Sequence, residues 1–474
     1  MAGYVKGVSR DQATLFPERL DEVIAEAAPV RVIDVFVDRL DVGELGFKRS
    51  APAEIGRPGY DPRDLLKLYL YGYLNQVRSS RQLERECGRN IEVLWLLNRV
   101  APDFKTIADF RRDNRPAIGF VCRGFVQFCR LEGLFGSELV AIDGSKFSAS
   151  SSPQRAWTVD QLKRQAAKLD KRIGEYLAQL DREDAAAPAS EVAPGKTRAA
   201  LEALLRRRGD LLQAVVLMTG LGLSQVTLGD SDARLMRGAR SGSVVGYNVQ
   251  VAVDSRHGLI VHHAVTQATS DQNQLAAVAQ GAKEALAVAG LDVTADAGYG
   301  DAEQLKACEE NAITPFVPHP RSVNTQGKYF AKSQFVYQPE SDTYTCPAGG
   351  TMRYLSASAK KQAISYRGID CAGCAVKPQC TTAEARWLTR HMHEDALDRA
   401  AARMKMRPGI MKQRSALAEH PFAIIKAMMG YPRFLCRGLK AVAAEMDLSI
   451  IAFNLKRVMT ILGPRELIRR LAAA

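Results

Sequence analysis

The sequence predicts an α/β protein. A mixed sheet is preceded by a helical domain and interrupted by two insertions, one helical and one bearing cysteines. Three observations predict that class. From residue 139 to 317, apolar segments switch between strand-like alternation and helical spacing. Two of the strand segments run into an acid and glycine, Asp143-Gly144 and Asp296-Ala297-Gly298. Ahead of residue 132, helix-start signals recur at short intervals. The boundaries that follow are a helical N-terminal domain over 1–132 and a sheet domain over 133–460. The helical insertion spans 155–218 and the cysteine-bearing insertion 320–405.

Composition narrows the class of protein. A chain of 474 residues is too long for one ordinary core. Its 46% hydrophobic and 25% charged residues are those of a soluble globular protein. The 65 basic against 52 acidic residues leave a net charge of +13, which favours a polyanionic partner, nucleic acid being the commonest. Met1–Gly7 lacks the apolar core of a signal peptide, and no uncharged apolar run approaches the ~20 residues of a membrane span. A cytoplasmic protein is expected, in which nine cysteines would not form a disulfide framework. Cys87, Cys122, Cys129, Cys308 and Cys436 stand singly among apolar or helical residues, as core thiols do.

In the N-terminal domain, Asp61-Pro62 supplies a cap and a first-turn proline for the helix Leu65–Leu74. Ser79-Ser80 starts a second helix through Leu83 and Cys87. A third carries Ile91, Leu94 and Trp95 on one face, and Thr106 with Asp109 resembles a capping box for a fourth. Basic residues on these short helices (Arg78, Arg81, Arg85, Arg111, Arg112) suit either helix-turn-helix DNA binding or a solvated bundle.

The sheet domain opens with the apolar strand Leu139–Ile142, ending on Asp143. A helical hairpin follows over Val159–Leu217, broken at Ala185–Ser190 and Pro194-Gly195, with leucines such as Leu162, Leu169, Leu177, Leu205 and Leu211 along it. Gly246–Asp254 and Leu259–Val265 alternate with period two around the turn Ser255–Gly258, a β-hairpin. A helix over Asn273–Val288, a strand from Leu291 ending at Asp296, a helix over Ala302–Asn311 and a strand over Thr314–Val317 complete the pattern.

Two acids at strand ends and one on a later helix, Glu419, can converge at one edge of a sheet. Carboxylate oxygens suit hard divalent cations, Mg²⁺ or Mn²⁺. Two such ions would clamp the attacking and leaving oxygens of an in-line phosphoryl displacement. Each acid also has a plainer reading. Asp143-Gly144 and Asp296-Ala297-Gly298 are turn sequences, and Glu419 with Pro421 reads as the start of a helix. Asp230, Asp232, Asp254, Asp271 and Asp292 compete, although Asp254 suits a hairpin turn and Asp292 sits at the wrong end of its strand. Lys426 lies seven residues, two helical turns, beyond Glu419 and projects from nearly the same face.

Taken in order, several phrases resemble the bacterial insertion-sequence transposases of the DDE, RNase H-like superfamily. They are Gly56-Arg57-Pro58-Gly59-Tyr60-Asp61-Pro62, Tyr71-Gly72-Tyr73 with Ser79-Ser80-Arg81, and Thr106–Arg111 in the N-terminal part. Asp143-Gly144-Ser145-Lys146, Arg234-Leu235-Met236, Gly246-Tyr247-Asn248-Val249-Gln250 and Asp296-Ala297-Gly298-Tyr299 follow. Glu419-His420-Pro421-Phe422 with Lys426, and Asn454-Leu455-Lys456-Arg457, close the series. The resemblance implies an RNase H-like mixed-sheet core in which Asp143, Asp296 and Glu419 hold two Mg²⁺ or Mn²⁺ ions. It implies nicking at terminal inverted repeats, joining of the freed 3′-hydroxyl to target DNA, and a homodimer that pairs two element ends near the nucleoid. Lys146, Lys426, Arg433 and Arg437 are then DNA contacts. Arg414 is a further candidate, one residue away from the arginine position of some relatives, which Ser415 occupies here while Lys412 stands in place of a tyrosine. A nuclease that does not join, or a DNA-binding repressor derived from a transposase, would carry much the same residues.

The cysteine insertion holds Cys346, the pair Cys371-Ala372-Gly373-Cys374, and Cys380, with His391 and His393 as spare donors. Four thiols with one C-x₂-C pair suit a structural zinc ion; a reduced loop is the alternative.

Overall fold

A computed structural model describes residues 19–473 apart from 53–57, 152–155, 187–193, 221, 223–224, 228, 238–241, 320–328, 429 and 431–432. Met1–Gly7, Gly56-Arg57 and the Ala187–Ser190 part of the hairpin break, all invoked above, lie outside the described residues.

In chain order the helices α1 (Leu20–Val23), α2 (Pro29–Asp38), α3 (Pro62–Leu74), α4 (Ser80–Cys87), α5 (Ile91–Leu96), α6 (Phe104–Asp113) and α7 (Arg115–Leu131) precede the first strand, β1 (Leu139–Ser148). After β2 (Ala156–Trp157) come the long helices α8 (Val159–Ala186) and α9 (Pro194–Gly220), then β3 (Val226–Thr227), β4 (Arg234–Arg237), β5 (Ser243–Asp254) and β6 (Ile260–Thr266). The elements α10 (Leu275–Leu286), β7 (Leu291–Thr294), α11 (Ala302–Glu310) and β8 (Ile313–Phe316) complete the sheet region. Next are β9 (Val336–Gln338), β10 (Thr343–Thr345), β11 (Thr351–Ser358), β12 (Ala363–Gly368) and β13 (Trp387–His391). Finally α12 (Glu394–Met406), α13 (Ile410–Met428), α14 (Leu439–Leu462) and α15 (Pro464–Ala473) end the chain.

Two compact units result, one of residues 1–132 with 423–474 and one of residues 133–422. The C-terminal segment 423–474 therefore groups with the N-terminal helices, whereas the sequence carries the sheet domain on to 460. Within that unit α14 is buried along most of its length and packs on α7 and α3, while α15 packs on α2. Asp61 caps α3 by accepting from the Arg63 N–H, as its residue type predicts.

Three local expectations in this unit need correction. Asp103, not Thr106, caps α6, accepting from the N–H groups of Lys105 and Thr106, so the helix begins earlier than the capping-box reading had it. On α5 the buried side chains are Val93 and Leu96, and Ile91 is exposed, because the short helix turns its other face inward. Of the basic residues proposed for DNA, Arg78 is buried against Glu445 at 3.2 Å and Arg111 lies over the Tyr69 ring at 5.5 Å. Arg112 is paired with Asp109 and Asp113. Arg81 and Arg85 stay exposed.

In the second unit the strands pair in the order β6-β5-β1-β7-β8, with β4 also on β5. β1 runs antiparallel to β5 and parallel to β7, and β7 runs parallel to β8. A hairpin followed by two parallel crossover strands is the RNase H-like arrangement. β1 does not stop at Asp143 as expected: β5 is long enough to hold it in a ladder out to Ser148. The insertion is a helical hairpin whose base packs Leu162, Ala166 and Leu169 of α8 on Leu211 and Met218 of α9. Farther out, Leu177 and Leu205 are exposed. β9–β13 form a separate antiparallel sheet around Phe335, Tyr344, Met352, Tyr366 and Leu388.

Candidate active site

The site begins with strand register. The parallel ladder between β1 and β7 ends at Ala141 opposite Thr294. Asp143 and Asp296 each lie two residues further on, so the pleat brings both acids level at the end of that ladder. β7 ends there because Asp296 turns back on itself, its carboxylate accepting from the Gly298 N–H at 2.8 Å. The turn reading of this acid is thus correct for one oxygen, and it fixes the side chain rather than excluding a second role.

The third acid arrives on α13. Ile410 packs with Leu139, and the Phe422 ring lies 6.1 Å from Phe147. Leu139, Asp143 and Phe147 are spaced by even steps along β1 and share a face, so α13 lies along the Asp143 face of the strand. Glu419 is well inside this helix, not at its start. Pro421 therefore sits in a helix interior, where its missing N–H leaves the Leu417 carbonyl without its helical donor. Glu419 is exposed along 62% of its side chain and accepts from the Ser415 hydroxyl at 2.8 Å.

Arg414 joins the two ends of the site. Its guanidinium lies 3.7 Å from the Asp143 carboxylate and 3.6 Å from that of Glu419, and the residue is almost wholly buried. Those separations are ion pairs rather than hydrogen bonds, and its buried Nε and Nη1 have no hydrogen-bond acceptor. Arg414, one residue from the expected position, stands five residues before Glu419, with its side chain turned toward β1.

On the opposite side of β1 a polar cluster supports the site. Asn248 and Gln250 of β5 both donate to Asp271 at 2.7 Å, and the Tyr299 hydroxyl donates to Gln250. Gly144 is required here: a Cβ would stand 2.4 Å from Gln250 Nε2 and 2.5 Å from Asp271 Oδ1. Burial pushes the Tyr299 hydroxyl far above its ordinary range, and the carboxylates of Asp271, Asp143 and Asp296 push it further, so it remains a donor.

Asp143 carries the clearest electrostatic signature. Burial pushes its carboxyl up to about 6, against Arg414 and the Gly144 N–H, which pull it down, and with Asp296 and Asp271, which add to the rise. Oxygen donors crowded with this excess of negative charge are a donor set that fits a hard divalent cation. The three acids are nevertheless not drawn to within 4.8 Å of one another among the described residues.

The remaining candidates fall outside this cluster. Asp254 is wholly buried and accepts from the N–H groups of Gly136, Ser137 and Arg256, a structural role. Asp292 pairs with Arg407 at 3.0 Å, and Asp230 accepts from the Tyr247 hydroxyl. Lys146 donates to the Arg237 carbonyl at 2.9 Å. Lys426 is half-buried near the end of α13. Arg433 and Arg437 do not share a helical face: they are exposed in the loop before α14, whose start at Leu439 is set by Gly438.

Two family models match this chain. "Transposase domain (DUF772)" covers residues 18–113, and "Transposase DDE domain" covers residues 345–459. Both matched segments are transposase domains, the second of the DDE kind. The second match includes Glu419 and the four clustered cysteines of the transposase, while Asp143 and Asp296 precede it. No curated protein matches the chain. A solved structure similar to the transposase is the "piggyBac transposase synaptic complex with hairpin DNA", at 9% identity and a TM-score of 0.34, over 96% of this chain and 81% of that one. Among the described residues, no helix of the transposase is long and apolar enough to cross a membrane.

The residues that sequence reasoning missed had a signal. Asn248 and Gln250 alternate with Tyr247, Val249 and Val251 in a strand, a polar pair on a face that has to be satisfied from within. In the sequence Asp271 stands only as one of several competing acids.

Proposed function

We propose that this transposase nicks DNA at the terminal inverted repeats of its element and joins the freed 3′-hydroxyl to target DNA, with Asp143, Asp296 and Glu419 as its catalytic acids. The single observation that carries the reading is the union of Asp143 and Glu419 through one buried arginine, with Asp296 level with Asp143 in the sheet. DDE transposases use divalent metal ions. Asp143, Asp296 and Glu419 would hold two Mg²⁺ or Mn²⁺ ions, which when bound activate an attacking oxygen and stabilise a leaving one.

The chain's own residues do the rest. The β1–β7 ladder fixes Asp143 and Asp296, and Asp271, held by Asn248 and Gln250, keeps the carboxylate end of β1 negative. Arg414 balances part of that charge and holds Glu419 toward Asp143. Lys146, Lys426, Arg433 and Arg437, with exposed Arg81 and Arg85, are proposed to contact DNA phosphates, which position the duplex without reading its sequence. A homodimer would pair the two ends of the element, working on DNA in the cytoplasm.

Strand transfer separates this reading from a nuclease. Pre-cleaved, labelled element ends incubated with a supercoiled target plasmid and Mn²⁺ are expected to yield joined products that migrate with the plasmid. Cleavage of uncut ends with no joined product from pre-cut ends would leave a nuclease.

A further inference from the structure

Outside the candidate active site, the strongest concentration of unused chemistry lies at one end of the β9–β13 sheet. A cavity of about 320 Å³ there is lined by Cys346, Cys371, Cys374 and Cys380 together. They come from two loops, the β10–β11 turn and the β12–β13 connection. Cys346 begins a tight turn between β10 and β11, accepting from the Gly349 N–H and donating to the Gly350 carbonyl. Cys371 and Cys374 follow β12, and Cys380 closes the short turn from Lys377 before β13.

The surroundings leave room for sulfur. A Cβ on Gly368 would stand 2.6 Å from the Cys371 Sγ, and one on Gly350 would stand 3.3 Å from the Cys346 Sγ. Lys377 and Arg386, with Asp370, also line the cavity. Arg386 donates to the Cys380 and Phe330 carbonyls, and its buried Nε has no hydrogen-bond partner. Two basic side chains therefore stand beside the four sulfurs at the cavity wall. His391 and His393 do not line the cavity, which leaves the four sulfurs and the Asp370 carboxylate as its metal-ligating side chains.

We infer that Cys346, Cys371, Cys374 and Cys380 bind one Zn²⁺ ion that staples the β9–β13 sheet. Four thiolates with no open position are the donor set of a structural zinc. No three of the sulfurs stand within 4.8 Å of one another, so binding rotates the side chains inward as the four thiols release their protons. The need for a staple is physical. The sheet has strands as short as three residues and a core of five buried side chains. So small a core gains substantially from a metal.

The test is metal analysis of the full chain, purified without chelator and dialysed against EDTA to strip loosely held ions. About one zinc per chain is expected. Cobalt exchanged into the site should give the near-ultraviolet absorption of thiolate-bound cobalt and the visible bands of tetrahedral coordination. Asp143→Asn should keep its zinc, and Cys374→Ser should lose it. Should Cys374→Ser fail to fold, the metal content of the parent and the cobalt spectrum still decide. A chain without zinc and with these four thiols freely reactive, a chain carrying iron instead, or zinc lost on Asp143→Asn would each overturn the assignment.

Discussion

Asp143 costs the folded chain stability in exchange for its position. Its carboxyl titrates at about 6 in the fold, against about 4 in an unfolded chain. Between those values the folded state holds a proton that the unfolded state has lost, so stability falls as pH rises through that window and levels off above it. The cost is roughly 3 kcal/mol. Asp143→Asn keeps the shape and removes the charge. In EDTA at pH 7.5 this variant should therefore unfold at higher denaturant than the parent, with the difference vanishing only below about pH 4. Its cleavage activity should drop by roughly 10²-fold or more, since a group facing the developing charge is gone. A variant less stable than the parent at both pH values would show that Asp143 is a structural acid.

At the scale of elements, the site depends on how α13 is held to β1. Ile410 against Leu139 and Phe422 against Phe147 flank the Asp143–Arg414–Glu419 bridge. Phe422→Ala should cost about 3–5 kcal/mol of local packing, as buried aromatic truncations do. Hydrogen exchange should quicken along 410–422 with the β1 amides unchanged, and cleavage should fall at least about tenfold. Phe422→Leu should restore most of both. This element was only partly legible in the sequence. Glu419 with Pro421 carries the marks of a helix start, because capping rules see local residues only. The helix continues upstream because Ile410 packs on Leu139 and Phe316 of the sheet. Strand and helix periods along 139–317 were readable for the opposite reason: each buries one face, and burial writes a period into the sequence.

For the whole molecule, long-range pairings set what could not be read. Arg78 and Arg111 look like DNA contacts in sequence, yet Glu445, more than 300 residues away, takes Arg78 into the core. Glu445 also accepts from the Leu435 and Cys436 N–H groups, which fixes the loop bearing Arg433 and Arg437. No local pattern announces that residues 423–474 return to the N-terminal helices. Asp143 and Asp296 stand out in the sequence because each acid runs into glycine after an apolar segment, although β1 itself continues past Asp143. Arg414 and the Asp271 cluster were not, since only the tertiary fold brings them to the same end of the sheet. The central claim is that Asp143, Asp296 and Glu419 act as one catalytic unit. The most direct measurement is cleavage of labelled DNA carrying the element's own ends by the parent and by Glu419→Gln, in Mg²⁺, Mn²⁺ and EDTA, with binding followed by gel shift. The parent should nick at the repeat end only with a divalent ion, and Glu419→Gln should bind equally and nick at least about 10²-fold more slowly. Equal cutting by both proteins would contradict the account.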